Sequence, residues 1–198
     1  MYLAFNHIPK CAGNSINNVL QTWGDVIFDY SLEIQKIKKI HTNQILCGHF
    51  LPHKYPSLLT ISDISVFSFI RDPLSMIISL YYYHRNRNRL LHLPLNDYIL
   101  NMSQKYPNYL STCIGCNQNN YKNIIDQYFF IGIYENLQES FDIFCQLAKQ
   151  KTTVLPRNNV STKDNQVVTQ KVKELFLNKN NLSYCIYHYC KERYIYSS

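Results

Sequence analysis

The chain has 198 residues, 46% of them hydrophobic and 17% charged, with 17 Tyr and 10 Phe, which is the length of one compact domain and a composition that excludes global disorder. Its formal net charge of +7 favours an anionic partner, whether a phosphorylated cofactor, nucleic acid, an acidic polysaccharide or an acidic membrane surface, without choosing among them. The seven Cys are odd in number and scattered, which argues for reduced thiols and against a disulfide framework.

Tyr2 to Ile8 is short, apolar and partly alternating. A Pro-Lys-Cys-Ala-Gly-Asn-Ser turn follows, and Ile16, Val19, Leu20 and Trp23 then fall at helical spacing, which predicts strand, loop and helix. Val26 to Tyr30 reads as a second short strand. Leu32, Ile34, Ile37 and Ile40, with Lys on the other face, predict a short amphipathic helix. Ile45 to Phe50 reads as another buried strand end. Ser65 to Ile70 is the clearest strand, and it stops at Arg71-Asp72-Pro73, where Pro73 suits the first turn of a helix predicted to run to about Tyr83.

Arg85-Asn86-Arg87-Asn88-Arg89 reads as a polar basic loop, Leu95 to Ser103 as a helix, and Tyr106 to Asn120 as irregular. Tyr128 to Ile133 is a further strand, and Leu137 to Ala148 has amphipathic helical spacing. Thr152 to Asn165, polar and containing Pro156, is a predicted loop, followed by helices over Gln166 to Phe176 and Ser183 to Arg193. Strands that alternate with helices imply a parallel α/β sheet, here in a single domain over residues 1–198.

No stretch approaches the ~20 consecutive apolar residues that span a bilayer, and the N-terminus lacks the regions of a signal peptide. The expected location is therefore cytoplasmic, with the membrane surface also accessible, or lumenal for a precursor whose anchor has been removed. Cys113 and Cys116 form one CxxC, but Cys185 and Cys190 do not complete a zinc set, so no metal is expected.

The turn after the first strand carries the chemistry. A connection from a parallel strand to a helix aims successive backbone N–H groups and the helix N-terminus at one point, which makes an anion site. Gly13 permits close approach, and Lys10, Asn14 and Ser15 add side-chain donors. The Lys precedes the Gly instead of standing next to the Ser, so the loop is not a Walker A motif and a kinase or NTPase reading weakens. A second segment, Phe67 to Tyr81, places Arg71 at a strand end and Ser79 eight positions later, where a guanidinium and a hydroxyl two helical turns on can face the same phosphate.

These two segments resemble the sulfotransferases that use 3′-phosphoadenosine 5′-phosphosulfate (PAPS), particularly the carbohydrate-modifying group that includes heparan sulfate 2-O-sulfotransferases. Their loop reads approximately His-Ile-Pro-Lys-Thr/Cys-Ala/Gly-Gly-Thr-Ser, which His7 to Ser15 follows with Asn14 in place of Thr. Their second motif is close to Arg-Asp-Pro-x-x-Arg-x-x-Ser-x-Tyr, which Arg71, Asp72, Pro73, Ser79 and Tyr81 match while Met76 replaces the second Arg. A weaker echo is Gly132-Ile133-Tyr134-Glu135, similar to the family's late strand that ends in Gly-x-x-Glu, with a structural role expected.

The resemblance implies a P-loop-NTPase-like three-layer fold with a central parallel sheet flanked by helices. It also implies that Lys10, Cys11, Ala12, Gly13, Asn14 and Ser15 hold the 5′-phosphosulfate of PAPS, Lys10 at the bridging oxygen, while Arg71 and Ser79 hold the 3′-phosphate. Arg157 and Lys163 lie where relatives close over the nucleotide.

Sulfuryl transfer to a hydroxyl needs a proton acceptor. His49 is the candidate base: it follows an apolar strand, and Cys47-Gly48-His49 resembles the His-Gly-His of 2-O-sulfotransferases with Cys47 for the first His. His53 is a possible partner, and His7 is read as a satisfied core or strand-end residue. Arg85, Arg87 and Arg89 are either solvated or placed for an acidic saccharide. The expected partners are thus PAPS, its product 3′,5′-adenosine bisphosphate (PAP) and a carbohydrate or glycoconjugate acceptor. The competing readings are a degenerate fold that binds nucleotide or a partner without turnover, motivated by Asn14, Met76 and Cys47, and a basic nucleic-acid-binding module, which no recognisable motif supports.

Overall fold

The structure, a computed structural model, describes residues 2–28, 44–49, 52, 56–87, 93–156, 164 and 166–197. The predicted helix over Leu32 to Ile40 lies outside the described residues, as do His53, Arg89, Arg157 and Lys163. The chain opens with β1 (Tyr2–Asn6), α1 (Gly13–Trp23), β2 (Asp25–Phe28) and β3 (Gln44–Gly48). A short 3-10 turn (Pro56–Leu59) leads to β4 (Ile64–Ile70), α2 (Pro73–Asn86) and α3 (Leu95–Lys105), then α4 (Tyr109–Ile114), α5 (Tyr121–Gln127) and β5 (Phe130–Ile133). A 3-10 turn (Tyr134–Asn136) then joins α6 (Leu137–Leu147), α7 (Gln170–Lys179) and α8 (Asn181–Ser197).

The described strands form one five-stranded sheet in the order β2-β3-β1-β4-β5, every pairing parallel. β1 is central, with Phe5 opposite Cys47 on one side and Phe67 on the other. A parallel strand buried on both faces reads as an apolar run instead of an alternating one, which is why Leu3, Ala4 and Phe5 are consecutive and buried.

Neighbouring strand residues point to opposite faces, and the two layers follow from that. Phe5 stacks on Phe67 at 4.9 Å between ring centroids, Phe67 on Phe144 of α6 at 4.1 Å, and Trp23 of α1 reaches Phe141 at 5.9 Å. Asn6, one residue on from Phe5, turns the other way: its Nδ2 donates to the Cys113 carbonyl of α4 at 2.8 Å and to the Tyr128 hydroxyl at 3.0 Å. Helix α8 packs on both α4 and β5, completing the second layer. Gly132 leaves room for an aromatic ring, since a Cβ there would lie 2.4 Å from the Phe69 ring.

The helices depart from the sequence reading in several places, α5 among them, since no element is predicted over that stretch. Helix α2 continues to Asn86, so Arg85 is helical and not in a loop; His84 and Arg85 suit the negative end of the helix dipole, and the Tyr98 hydroxyl meets His84 Nδ1 at 3.1 Å. Within the stretch expected to be irregular, α4 is bounded by Asn108 and Gly115, both with positive φ, and it is held by burial of Leu110, Cys113 and Ile114. Helix α7 starts at Gln170 and not Gln166, because the Gln166 side chain is committed to the Leu95 N–H at 2.9 Å and the Tyr81 hydroxyl at 3.1 Å, with Thr169 taking the N-cap. Among the described residues no helix is long and apolar enough to cross a membrane, and no group of three or more His, Cys, Asp or Glu is placed to hold a metal ion.

Candidate active site

The strand order puts β2 and β3 on one side of β1 and β4 and β5 on the other. In an open parallel sheet the crevice beyond the carboxyl ends of the strands, at such a reversal, is where ligands bind. The loop after β1, His49 after β3, Arg71 after β4 and Tyr134 after β5 all emerge at that edge.

The β1 loop is built as an anion cradle. Lys10 and Ala12 both adopt left-handed backbone (φ 65 for each) on either side of Cys11, an alternation that turns successive N–H groups inward. The first α-helical bond that follows runs from the Ile16 N–H to the Ala12 carbonyl at 3.1 Å, so the N–H groups of Gly13, Asn14 and Ser15 form the positive end of α1. Two non-glycine residues in this region cost about 1–3 kcal/mol each. The loop is held in place from beneath by the buried Cys11, whose Sγ lies 4.0 Å from Met76 Sδ, and burial pushes the Cys11 thiol well above its ordinary range. Asn14 is exposed on the first turn of α1, and Ser15 is buried beside it.

Met76, Ser79 and Tyr83 recur at helical spacing and share one face of α2. Met76 meets Cys11, and the Tyr83 ring carries Lys10 Nζ at 4.3 Å from its centroid. Ser79, half-buried between those two contacts, therefore lies on the face turned to the β1 loop. The Arg87 guanidinium also rests on Tyr83, at 4.6 Å, and Arg71 rests on Tyr134 at 4.1 Å. Arg71 Nη1 donates to the Lys10 carbonyl at 3.4 Å, while its Nε is buried without a hydrogen-bond partner among the described residues.

Aromatic rings orient these cations without neutralising them, whereas carboxylates would cancel the charge. Among the described residues the ion pairs are Arg85 with Asp164 and Arg193 with Asp126, so neither Lys10 nor Arg71 is paired with an acid. Burial, and then the charges of Arg71 and Arg87, draw the Lys10 ammonium pKa below its usual value. An anion between them would relieve that repulsion and satisfy Arg71 Nε. The donor set thus fits a phosphate or phosphosulfate group.

His49 Nδ1 stands 2.5 Å from the His7 carbonyl, and because that partner can only accept, Nδ1 carries the proton. That tautomer has its lone pair on Nε2, the form a general base requires. Cys47 is buried in β3 and donates to Asn17 Oδ1 at 3.2 Å, with burial raising its thiol to about 12, so it belongs to the packing between sheet and α1.

The model of the sulfotransferase family matches residues 2–127. The chain belongs to the sulfotransferase family. Its fold is similar to a sulfotransferase from Alicyclobacillus acidocaldarius, with a TM-score of 0.57 at 11% identity over 95% of each chain. It is also similar to mouse sulfotransferase SULT7A1 complexed with PAP, with a TM-score of 0.60 at 14% identity over 95% of this chain and 88% of that one. No curated protein matches the chain in sequence.

In this sulfotransferase the β1 loop and the β4–α2 segment are in contact, and several of their supports escape a sequence reading. Tyr83 and Tyr134 carry the cations, and Glu135 accepts from the Asp72 N–H at 3.0 Å and from the Tyr187 hydroxyl at 3.0 Å, pinning the β4–α2 junction to α8. Tyr83 had a signal, its helical spacing from Ser79, whereas Tyr134 and Tyr187 had none. The basic cluster divides: Arg85 is taken by Asp164, which also accepts from the Tyr82 hydroxyl, while Arg87 joins Lys10 on Tyr83. Cys113 is buried and Cys116 Sγ contacts the Ser111 carbonyl, so the CxxC is part of the α4 packing.

His7 gives the fold a pH dependence. Burial, with the charges of His49 and Lys10, lowers its pKa from 6.5 to about 3, so it stays neutral when folded. As pH falls below 6.5 the unfolded chain takes up a proton at His7 that the folded chain refuses. This contribution is full above pH 6.5 and is lost progressively toward about pH 3. Urea unfolding at pH 7.5 and 5.5 should show a loss of about 1.4 kcal/mol from this residue, which His7→Gln removes from the difference. An equal acid loss in both proteins would contradict it.

Proposed function

We propose that the chain transfers the sulfuryl group of PAPS to a hydroxyl of a carbohydrate-like acceptor by in-line displacement, with residues 1–198 acting as one sulfotransferase domain. The observation that carries this reading is the pair of cations, Lys10 and Arg71, held on tyrosine rings without acidic partners among the described residues, at the N-terminus of α1. The fold's likeness to a mouse sulfotransferase complexed with PAP supports the choice of nucleotide.

PAPS supplies the sulfuryl group and its phosphate leaving group. The N–H cradle from Lys10 to Ser15, with Cys11, Ala12, Gly13 and Asn14 between, binds the 5′-phosphosulfate, and Arg71 with Ser79 binds the 3′-phosphate. His49 Nε2 accepts the acceptor's hydroxyl proton as its oxygen bonds to sulfur. Lys10 meets the negative charge left on the phosphate oxygen as the S–O bond breaks, a form of stabilisation that is usually a large catalytic term. Arg87, exposed and beside Lys10, favours an acceptor that itself carries negative charge.

A second reading, nucleotide binding without turnover, is favoured by one observation: Cys47, where the resemblance expects a histidine, is buried and bonded to Asn17. Calorimetry with PAP followed by labelled sulfate transfer to a panel of glycans separates the two. Binding with transfer is the expected result. Binding without transfer to any glycan leaves the second reading, and no nucleotide binding removes both.

A further inference from the structure

His7 does nothing in the chemistry just described, yet it touches both the start of α1 and His49. Its imidazole is buried and lies parallel to Phe5, 5.5 Å between centroids at 11°. On one side it occupies the space a side chain at position 13 would need, since a Cβ on Gly13 would lie 1.8 Å from His7 Nε2. On the other side it meets the His49 ring at 4.6 Å, and its own carbonyl receives the His49 Nδ1–H. Its backbone is tied down as well, the His7 N–H donating to the Gly48 carbonyl at 2.8 Å.

The ring therefore separates two parts that must be in register for transfer: the N-terminus of α1, which carries the anion cradle, and the imidazole that takes the proton. Its Nδ1 contributes little that a flat apolar ring would not, because it is buried with no hydrogen-bond partner among the described residues. A group performing acid–base work on a substrate would not be walled in by Phe5 and Gly13 in this way. Gly13 is explained by the same contact: it is glycine because His7 fills the place of its side chain, and not only because an anion approaches its backbone.

We propose that His7 is a positioning residue, a packed ring that sets the distance between the anion cradle and His49 and holds the His49 tautomer through its carbonyl. This rests on His49 being the base, and the test separates the two ideas because two of its three readouts need no turnover.

The first readout is a double-mutant cycle on melting temperature. Gly13→Ala alone should lower it by about 10 °C or prevent folding, as overpacking does, whereas in a His7→Ala background the same change should cost less than about 3 °C. The second is the proton spectrum of the histidines, in which the slowly exchanging His49 Nδ1–H signal should persist in His7→Phe and weaken in His7→Ala, where the backbone acceptor remains but no ring packs against the His49 imidazole. The third is turnover with wild-type nucleotide affinity as the control: His7→Ala should fall about 10²-fold, the usual cost of a displacement near 1 Å, with His7→Phe restoring most of it.

Additivity in the cycle would overturn the packing, and a His49 signal unchanged in His7→Ala would overturn the link to the base. Equal loss of turnover in His7→Ala and His7→Phe would make His7 a chemical participant instead. If the wild-type chain transfers sulfate to nothing, the functional reading fails while the first two readouts still decide the role of His7.

Discussion

Replacing His49 by alanine is expected to lower turnover by about 10²–10⁴-fold, the range for loss of a general base, while PAP affinity changes less than threefold or so. The split follows from where the ring sits. His49 leaves β3 one strand away from the β1 loop and is oriented by the His7 carbonyl, outside the run from Lys10 to Ser15 that forms the anion cradle, so its removal should leave the cradle intact. Because Nδ1–H is committed to that carbonyl, the lone pair is presented by Nε2, and His49→Gln, which can accept a hydrogen bond but cannot take up a proton near neutral pH, should be nearly as inactive as the alanine variant. Steady-state rates with saturating PAPS, set beside calorimetric PAP binding, measure both halves. Wild-type turnover in His49→Ala would remove the residue from the mechanism.

Replacing Arg71 by alanine should have the opposite signature. PAP affinity is expected to weaken about 10- to 100-fold, the worth of a charge-assisted bond from a partly buried guanidinium, with proportionate loss in kcat/KM for PAPS. Arg71 has three separate reasons to point where it does: it leaves β4 at the reversal of strand order, it lies on the Tyr134 ring, and its Nη1 reaches the Lys10 carbonyl. Arg71→Lys should recover only part of the affinity, since an ammonium keeps the charge but loses the planar stack and the fork onto a phosphate. Equal PAP affinity in Arg71→Ala, measured by calorimetry, would mean that the 3′-phosphate is held elsewhere.

The departures from the family pattern become intelligible as packing. Met76, where the resemblance expects a second arginine, is buried against Cys11 beneath the anion loop. An arginine there would need an acidic or anionic partner; methionine fits the gap by its flexibility and polarisable sulfur. Cys47 is a comparable case, a small buried thiol serving Asn17 of α1. Both side chains are core residues in this chain, which leaves Lys10, Arg71 and His49 as the ionisable groups on which the proposed chemistry depends.

Much of the site was legible because its parts are local. A strand, a turn with Lys10 and Gly13, and a helix lie within one short run of sequence, and so do Ile70, Arg71 and Pro73; hydrophobic period and turn chemistry report such runs directly. The parallel sheet followed from the alternation of these units. The short helix α4 was not legible, because its six residues show too little periodicity and it is stabilised by burial against β1 and α8, not by propensity.

By itself, then, the sequence determined the two strand-to-helix junctions, the place of His49 just past a strand and the α/β layering, all of which depend on residues within a few turns of one another. Only the tertiary structure decided which residues hold those groups in place. Tyr134 comes under Arg71 because β5 pairs with β4, Tyr83 comes under Lys10 because α2 packs along the β1 loop, and His7 comes between Gly13 and His49 because β1 lies beside β3. The physical reason is range: hydrophobic spacing encodes the face a residue turns inward, but what it meets there is set by strand order and helix packing between segments far apart in the chain.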